Sequence, residues 1–243
     1  MTLISNELLG KEKIKIFQDS DLFNFSIDSI LLAHFVTINY KDKMICDLCS
    51  GNAPIPLYLT LRTKAKIIGV EVLKESYELA NMSIKYNHFE DQIIMYNDNL
   101  IDIHKKIGSD KFDVVTINPP YFKIGENNIN PNDFKAVARH EIYAKLDDII
   151  KEASILLKQK GRLAMVYHPN RLIELIDTLR KYKIEPKRIQ FIYPKKDRAC
   201  NHVLIEGVKE GNHQMKILPP IYVYKSNNKW TKQILKIYNF EEE

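Results

Sequence analysis

From Met44 onward the chain alternates short apolar runs, rich in β-branched residues, with longer amphipathic stretches. That alternation constrains the fold more than any other feature. Met44–Leu48, Lys66–Glu71, Ile93–Asn97, Phe112–Asn118 and Arg162–His168 read as strands. Pro54–Arg62, Lys74–His88, Asn99–Ile107, Asp147–Lys158 and Asn170–Tyr182 read as the intervening helices. The first of these opens on a proline suited to a first helical turn, and Gly161 supplies the stop for the fourth. Strands and helices in strict turn give a doubly wound, mostly parallel α/β sheet of the Rossmann-like kind, because each crossover helix must pack back onto the sheet. The closing runs Lys187–Tyr193 and Cys200–Gly207 have no helix between them and are expected to form an antiparallel hairpin at the sheet edge.

The expected organisation is a core over residues 41–210, an N-terminal strand and helix over 1–40 that pack on it, and a C-terminal extension over 211–243. In the first, Ile14–Phe17 reads as a strand, and Phe25–Ala33 as an apolar helix with Ser26 and Asp28 at its start. In the last, Pro220–Tyr224 is strand-like and Trp230–Tyr238 helix-like. The polar loop Lys123–Asp133 directly follows Pro119-Pro120 and is expected to close over a substrate.

Composition excludes several classes. No stretch approaches the ~18 apolar residues of a membrane span, and Glu7, Lys11, Glu12 and Lys13 interrupt the N-terminus where a secretory signal needs an apolar run. A cytoplasmic protein is expected. Three cysteines make no disulfide framework. Cys46 and Cys49 form a C-x-x-C, but it sits at the end of an apolar strand, and no second Cys/His pair completes a tetrahedral site, so neither a metal nor a redox role is expected. Residues 180–243 carry 14 Lys and Arg against 7 Asp and Glu, whereas residues 1–179 carry 22 against 24. A basic quarter on a near-neutral remainder suits a polyanion, although lysine is also a common surface residue.

The sharpest local signal is Asn118-Pro119-Pro120-Tyr121, where the apolar run Val114–Ile117 stops at two prolines. In an open α/β sheet, ligands sit beyond the carboxyl ends of the strands. An asparagine amide oxygen and a proline-fixed carbonyl there can each accept a hydrogen bond from one NH2 group, and the tyrosine ring can stack on a planar partner. The set suits a planar amine such as the amino group of adenine. A plain proline turn capping a core strand is the simpler reading of this tetrapeptide alone.

Other strand ends add to it. Asp47-Leu48-Cys49-Ser50-Gly51-Asn52-Ala53 follows the first strand as a turn of small residues, which lets backbone amides approach a ligand while Asp47 orients it. Glu71 ends the second strand, where a carboxylate can accept both hydroxyls of a ribose. Asp98 follows the third, where it can accept from an adenine amino group. Each acid alone is a weak signal, because acidic residues at strand ends are frequent helix caps. Their occurrence in order, after successive strands, is harder to obtain by accident.

This order resembles the class I S-adenosylmethionine-dependent methyltransferases that act on amino nitrogens. More narrowly, Phe25-Ser26-Ile27-Asp28-Ser29-Ile30-Leu31-Leu32-Ala33, Asn118-Pro119-Pro120-Tyr121-Phe122 and Ala138-Arg139-His140-Glu141 resemble the bacterial valine-tRNA adenine-37 N6-methyltransferases, over residues 12–210. The resemblance implies that S-adenosylmethionine is the methyl source, with no metal, and that a tRNA anticodon loop is the partner. It implies Asn118, Pro119, Pro120 and Tyr121 as catalytic residues, and Asp28, Asp47, Gly51, Glu71 and Asp98 as cofactor contacts. Arg139, Lys195, Lys196 and Arg198 are the candidate RNA contacts. One departure stands out: the related turn is written D-x-G-x-G-x-G, and here the glycine places hold Cys49, Gly51 and Ala53. A protein-glutamine N5-methyltransferase, a DNA adenine methyltransferase and a silent RNA-binding relative remain alternatives. The short N-terminal segment, the lack of a target-recognition domain and the intact Asn118–Tyr121 motif weigh against them in turn.

Overall fold

Alternate residues of each central strand face opposite sides of the sheet, and both sides are apolar. Ile45, Ile67, Val114, Ala164, Val166 and Leu204 face one buried layer, while Cys46, Ile68, Val115, Leu163, Met165 and Ile205 face the other. A sheet covered on both faces is what parallel pairing requires. The computed structural model of the chain describes residues 3–8, 14–19, 26–119 and 144–239.

An antiparallel pair, β1 (Leu3–Glu7) and β2 (Lys15–Asp19), precedes helix α1 (Ile27–Phe35). Then follow β3 (Met44–Leu48), α2 (Pro54–Leu59), β4 (Lys66–Glu71), α3 (Lys74–Tyr86), β5 (Ile93–Asn97), the short α4 (His104–Ile107) and β6 (Phe112–Ile117). After the segment outside the described residues come α5 (Leu146–Leu156), β7 (Leu157–Tyr167), α6 (Leu172–Lys181), β8 (Ile184–Tyr193) and β9 (His202–Lys209). Two short strands, β10 (Lys216–Ile217) and β11 (Ile221–Tyr222), and helix α7 (Lys232–Asn239) close the described chain.

The main sheet runs β10-β8-β9-β7-β6-β3-β4-β5, with β11 also on β8. Pairing is parallel from β7 through β6, β3 and β4 to β5. The expected hairpin is present and antiparallel, with β9 between β7 and β8. It is not the outermost element, because β10 and β11 add to β8 in parallel. Since β9 opposes both neighbours, β8 runs with β7. The carboxyl ends of β3, β4, β5, β6, β7 and β8 therefore share one edge, and strand order reverses between β3 and β6. The crevice at such a reversal is where open α/β sheets bind ligands.

Helix α1 is buried almost all round, with Asp28 and Ser29 buried alongside Ile30, Leu31, Leu32, Ala33 and Phe35. A helix apolar on every side must be covered on every side. It packs on α2, on β7 and β9, and against α7. Ile221, Val223, Ile234 and Ile237 join the same apolar cluster, so residues 221–237 contribute to the central core. The exit from α1 is fastened by buried Glu206 of β9, which accepts from the Thr37 backbone N–H (2.7 Å) and hydroxyl (2.8 Å). No described helix is long and apolar enough to cross a membrane.

Candidate active site

At the end of β3 the chain turns through Cys49, Gly51 and Ala53 with φ of +58°, +56° and +66°. The three places read as glycine positions thus all adopt the left-handed conformation, although only one is glycine. Two L-residues there cost roughly 1–2 kcal/mol each, which the surroundings must offset. They do so with fixed partners. Gly51 N–H donates to Glu71 Oε2 (2.7 Å), Ala53 N–H to the Ser50 carbonyl (2.9 Å), and Ser50 N–H to the Val70 carbonyl (3.0 Å). Asn52 Nδ2 donates to the Phe17 carbonyl (2.9 Å), tying the turn to β2. Gly69 of β4 makes room for the turn: a Cβ there would stand 2.9 Å from Ser50 Oγ and 2.3 Å from Met95 Sδ.

Asp47 lies beneath this turn and is fully buried. Its carboxylate accepts from Ser50 Oγ (2.6 Å) and from Thr116 Oγ1 of β6 (2.6 Å). Burial pushes its pKa up to about 7, against the pull of those two hydroxyls, and the Glu71 charge adds to the rise. Glu71 is also buried; its Oε1 accepts from Leu73 N–H (2.9 Å). Burial raises its carboxyl as well, opposed by the backbone donors. The Gly51 and Leu73 N–H groups each hold one Glu71 oxygen, the Val72 N–H contributes as well, and a carboxylate offers more than one acceptor site per oxygen.

Asp98 follows β5 and is joined to Glu71 through the backbone, its N–H donating to the Glu71 carbonyl (3.0 Å). Its carboxylate accepts from Asn99 N–H (2.8 Å) and pairs with Lys106, which holds it below the usual range. Asn118 leaves β6 next to β3, and its Nδ2 donates to Ser29 Oγ of α1 (3.0 Å). With the amide nitrogen on Ser29, Oδ1 is the acceptor at the other end of the side chain. Pro119 is buried behind it. Pro120, Tyr121 and Arg139 lie outside the described residues, as does the loop 123–133.

Asp28, in the first turn of α1, accepts from Ser26 Oγ (2.8 Å) and faces His202 Nδ1 at 3.5 Å. Its described partners thus come from α1 and β9 rather than from the Gly51 turn. Lys195, Lys196 and Arg198 occupy the β8–β9 connection, at the same sheet edge as Asn118. The loop after β11 joins them there: Tyr224 N–H donates to the Pro194 carbonyl (2.9 Å), bringing exposed Lys225 and Lys229 alongside. The free thiols Cys46 and Cys49 have pKa values pushed up by burial, which disfavours the thiolate.

Sequence reasoning missed Ser29, Thr116 and Gly69, which hold the predicted residues in place. Ser29 lay inside the N-terminal block but carried no signal of its own, since its partner is 89 residues away.

A model of the Eco57I restriction-modification methylases matches residues 34–199. A Porphyromonas gingivalis protein named tRNA1(Val) (adenine(37)-N6)-methyltransferase is 30% identical over 59% of this chain, which spans 56% of that relative's length. A protein of the same name from Cytophaga hutchinsonii is 20% identical over 96% of this chain and 97% of its own. Among solved structures, a predicted O-methyltransferase from Agrobacterium tumefaciens has a TM-score of 0.69 at 20% identity, covering 87% of this chain and 95% of its own, a likeness of fold. With the matched segment running from α1 through the Asn118 edge to the β8–β9 turn, the chain belongs to the Eco57I restriction-modification methylase family.

Proposed function

We propose that this protein transfers a methyl group from S-adenosylmethionine to the N6 amino group of an adenosine in tRNA. Its target would be adenosine 37 in the anticodon loop of a valine tRNA, in the cytoplasm. The observation that carries the reading is the Asn118 amide, oriented by Ser29 at the end of β6, one strand away from the Gly51–Glu71 turn. The names of the relatives favour tRNA over DNA.

The described residues fit the nucleoside part of such a methyl donor. Among the described residues nothing stands within 4 Å of a Cβ built at Gly51, and the buried Glu71 carboxylate lies beside the turn. Glu71 would hold the ribose hydroxyls, Gly51 would let the backbone approach, and Asp47 would keep the turn in shape from beneath. Asp98 would receive the adenine amino group in competition with Lys106. The bound donor supplies a methyl group made electrophilic by its sulfonium.

The rest of the task is to make N6 a nucleophile, because its lone pair is delocalised into the ring. Hydrogen bonds from the two N6–H groups to Asn118 Oδ1 and the Pro119 carbonyl favour a pyramidal nitrogen with its lone pair aimed outward. This is orientation and electrostatics rather than base catalysis. Proximity in well-oriented systems is worth about 7–11 kcal/mol. Tyr121 would stack on the flipped base, worth about 1–3 kcal/mol. Lys195, Lys196 and Arg198, with Arg139, would meet the phosphates.

The test is methyl transfer from labelled S-adenosylmethionine to unmodified total tRNA, read by nucleoside mass spectrometry. N6-methyladenosine should appear and should fall at least about 100-fold in Asn118→Ala, with donor binding kept. Product on DNA but not on tRNA would replace the substrate, and equal loss of binding and turnover in Asn118→Ala would remove the assigned role.

A further inference from the structure

The strands of the main sheet do not end at one height. Ile117, Met165, Ile205 and Ile189 lie in one row across β6, β7, β9 and β8. Beyond that row β6 has no further residue, whereas β8 runs on to Tyr193, about 13 Å higher at ~3.3 Å per residue. The far side of the sheet thus stands above the edge that carries Asn118. Strand β11 pairs with the overhanging part of β8, Ile221 beside Ile192 and Tyr222 beside Tyr193. Backbone bonds continue the pairing outward, from Val223 N–H to the Tyr193 carbonyl (2.9 Å) and from Tyr224 N–H to the Pro194 carbonyl (2.9 Å). The next residues, Lys195 and Lys225, therefore leave the sheet side by side.

The chain after Lys225 turns tightly and comes back. Lys225 N–H donates to the Lys229 carbonyl (2.8 Å), Asn228 N–H to the Lys225 carbonyl (3.0 Å), and Thr231 N–H to the Val223 carbonyl (3.0 Å). The base of this turn is anchored by Ile221, Val223, Ile234 and Ile237 in the core and by the Trp230 ring on Tyr238 (centroids 4.4 Å apart). Its tip is polar and exposed, with Lys225, Ser226, Asn227, Asn228 and Lys229. Among the described residues, the side chains of Lys195, Lys196, Arg198, Lys225 and Lys229 have no acidic partner. Lys106, Lys158, Lys181 and Lys209 elsewhere each sit on a carboxylate. Five uncompensated cations on two adjoining turns, with Asp197 the one acid among residues 194–198 and 224–230, attract an anion with several charges in a row. The tip lacks the apolar centre that a protein partner would need, and phosphates need none.

We infer that the turn of residues 224–230 is the outer half of a grip on tRNA. Lys225 and Lys229, beside Lys195, Lys196 and Arg198, take backbone phosphates lying away from the target adenosine. This surface serves the tRNA reaction proposed above and rests on it. Four strand spacings separate β6 from β11, roughly 19 Å at ~4.8 Å each. The turn therefore adds affinity and sets the approach of the tRNA without touching the base held at Asn118.

Filter binding of the full-length protein to unmodified tRNA, from about 0.05 to 1 M salt, tests this. The double variant Lys225→Ala/Lys229→Ala should lower the slope of log affinity against log salt by about 1.4–1.8, at roughly 0.7–0.9 per phosphate contact. Affinity should then be about 30-fold weaker near 0.1 M salt and approach the wild-type value at high salt. Lys225→Arg/Lys229→Arg should keep the slope. So should Lys43→Ala/Lys64→Ala, two exposed lysines at the opposite edge, where β3 and β4 begin. The loss should be the same on a tRNA with guanosine at the target position, because phosphates carry no base identity. An unchanged slope in the alanine pair, an equal fall in Lys43→Ala/Lys64→Ala, or a loss confined to the adenosine-bearing tRNA overturns the inference. Wild-type binding that yields no N6-methyladenosine removes the proposed reaction and leaves this surface standing, whereas no salt-dependent tRNA binding at all overturns both.

Discussion

At Gly51 the backbone has φ +56° and no described residue approaches the place where a Cβ would stand, so the two costs of a side chain there separate cleanly. Gly51→Ala meets no atom of the described residues; its stability cost there is the left-handed conformation, about 1–2 kcal/mol. For a chain of this size each kcal/mol moves Tm by about 2–4 °C. The added methyl would, however, stand where the nucleoside approaches. Donor affinity should therefore fall about tenfold or more, equivalent to at least 1.4 kcal/mol, while the protein stays folded. Calorimetry of S-adenosylmethionine binding beside a thermal melt checks this. Unchanged affinity would mean the ligand does not cross this turn. Cys49 and Ala53 are the counterpart: they already bear the cost that alanine would bring to Gly51, and the hydrogen bonds around Glu71 and Ser50 hold them to it.

Among the elements, the β8–β9 connection gives the clearest prediction. Replacing Lys195, Lys196 and Arg198 by alanine should flatten the plot of log affinity for tRNA against log salt by about 2, at roughly 0.7–0.9 per phosphate contact. Filter binding across a salt series reads it, and an unchanged slope would move the RNA surface elsewhere. The elements also show which signals a sequence carries. Met44–Leu48, Lys66–Glu71 and Ile93–Asn97 were legible to the residue, because a buried parallel strand is a continuous apolar run between polar turns. Helix α4 begins later than its run suggests: Asn99–Ile103 form turns, and Glu152 of α5 accepts from the His104 N–H (2.7 Å) to start it. Strand β7 begins at Leu157, earlier than expected, because α5 passes into it without a loop. Strands β1 and β10 were not legible; they are short and sit away from the main core, so no period marks them. Gly51, Glu71 and Asn118 could be proposed from the sequence because ligands of open α/β sheets sit beyond the strand ends. Ser29 could not, because its partner comes from a distant part of the chain.

For the molecule as a whole, two apolar layers and one shared strand edge bring the start of α1 and the ends of β3, β4 and β6 together. The fold class followed from the alternation alone, whereas the contribution of residues 221–237 to the core depended on α1 being apolar on every side and therefore needing cover. The same depth of burial has an effect on the heat of binding. Burial pushes the pKa of Asp47, at the bottom of the crevice, up to about 7, into the range where the carboxyl takes up and loses its proton near neutrality. A sulfonium cation seated above it favours the carboxylate and expels a fraction of a proton. Taking up the methyl donor is then also an acid–base reaction with the solution. Heats measured at pH 7 should differ between phosphate and Tris, whose own protonation heats differ, and the difference should vanish in Asp47→Asn. The ligand's apparent affinity should rise as the solution becomes more alkaline through neutrality, so the crevice would couple its supply of methyl groups to the acidity around it.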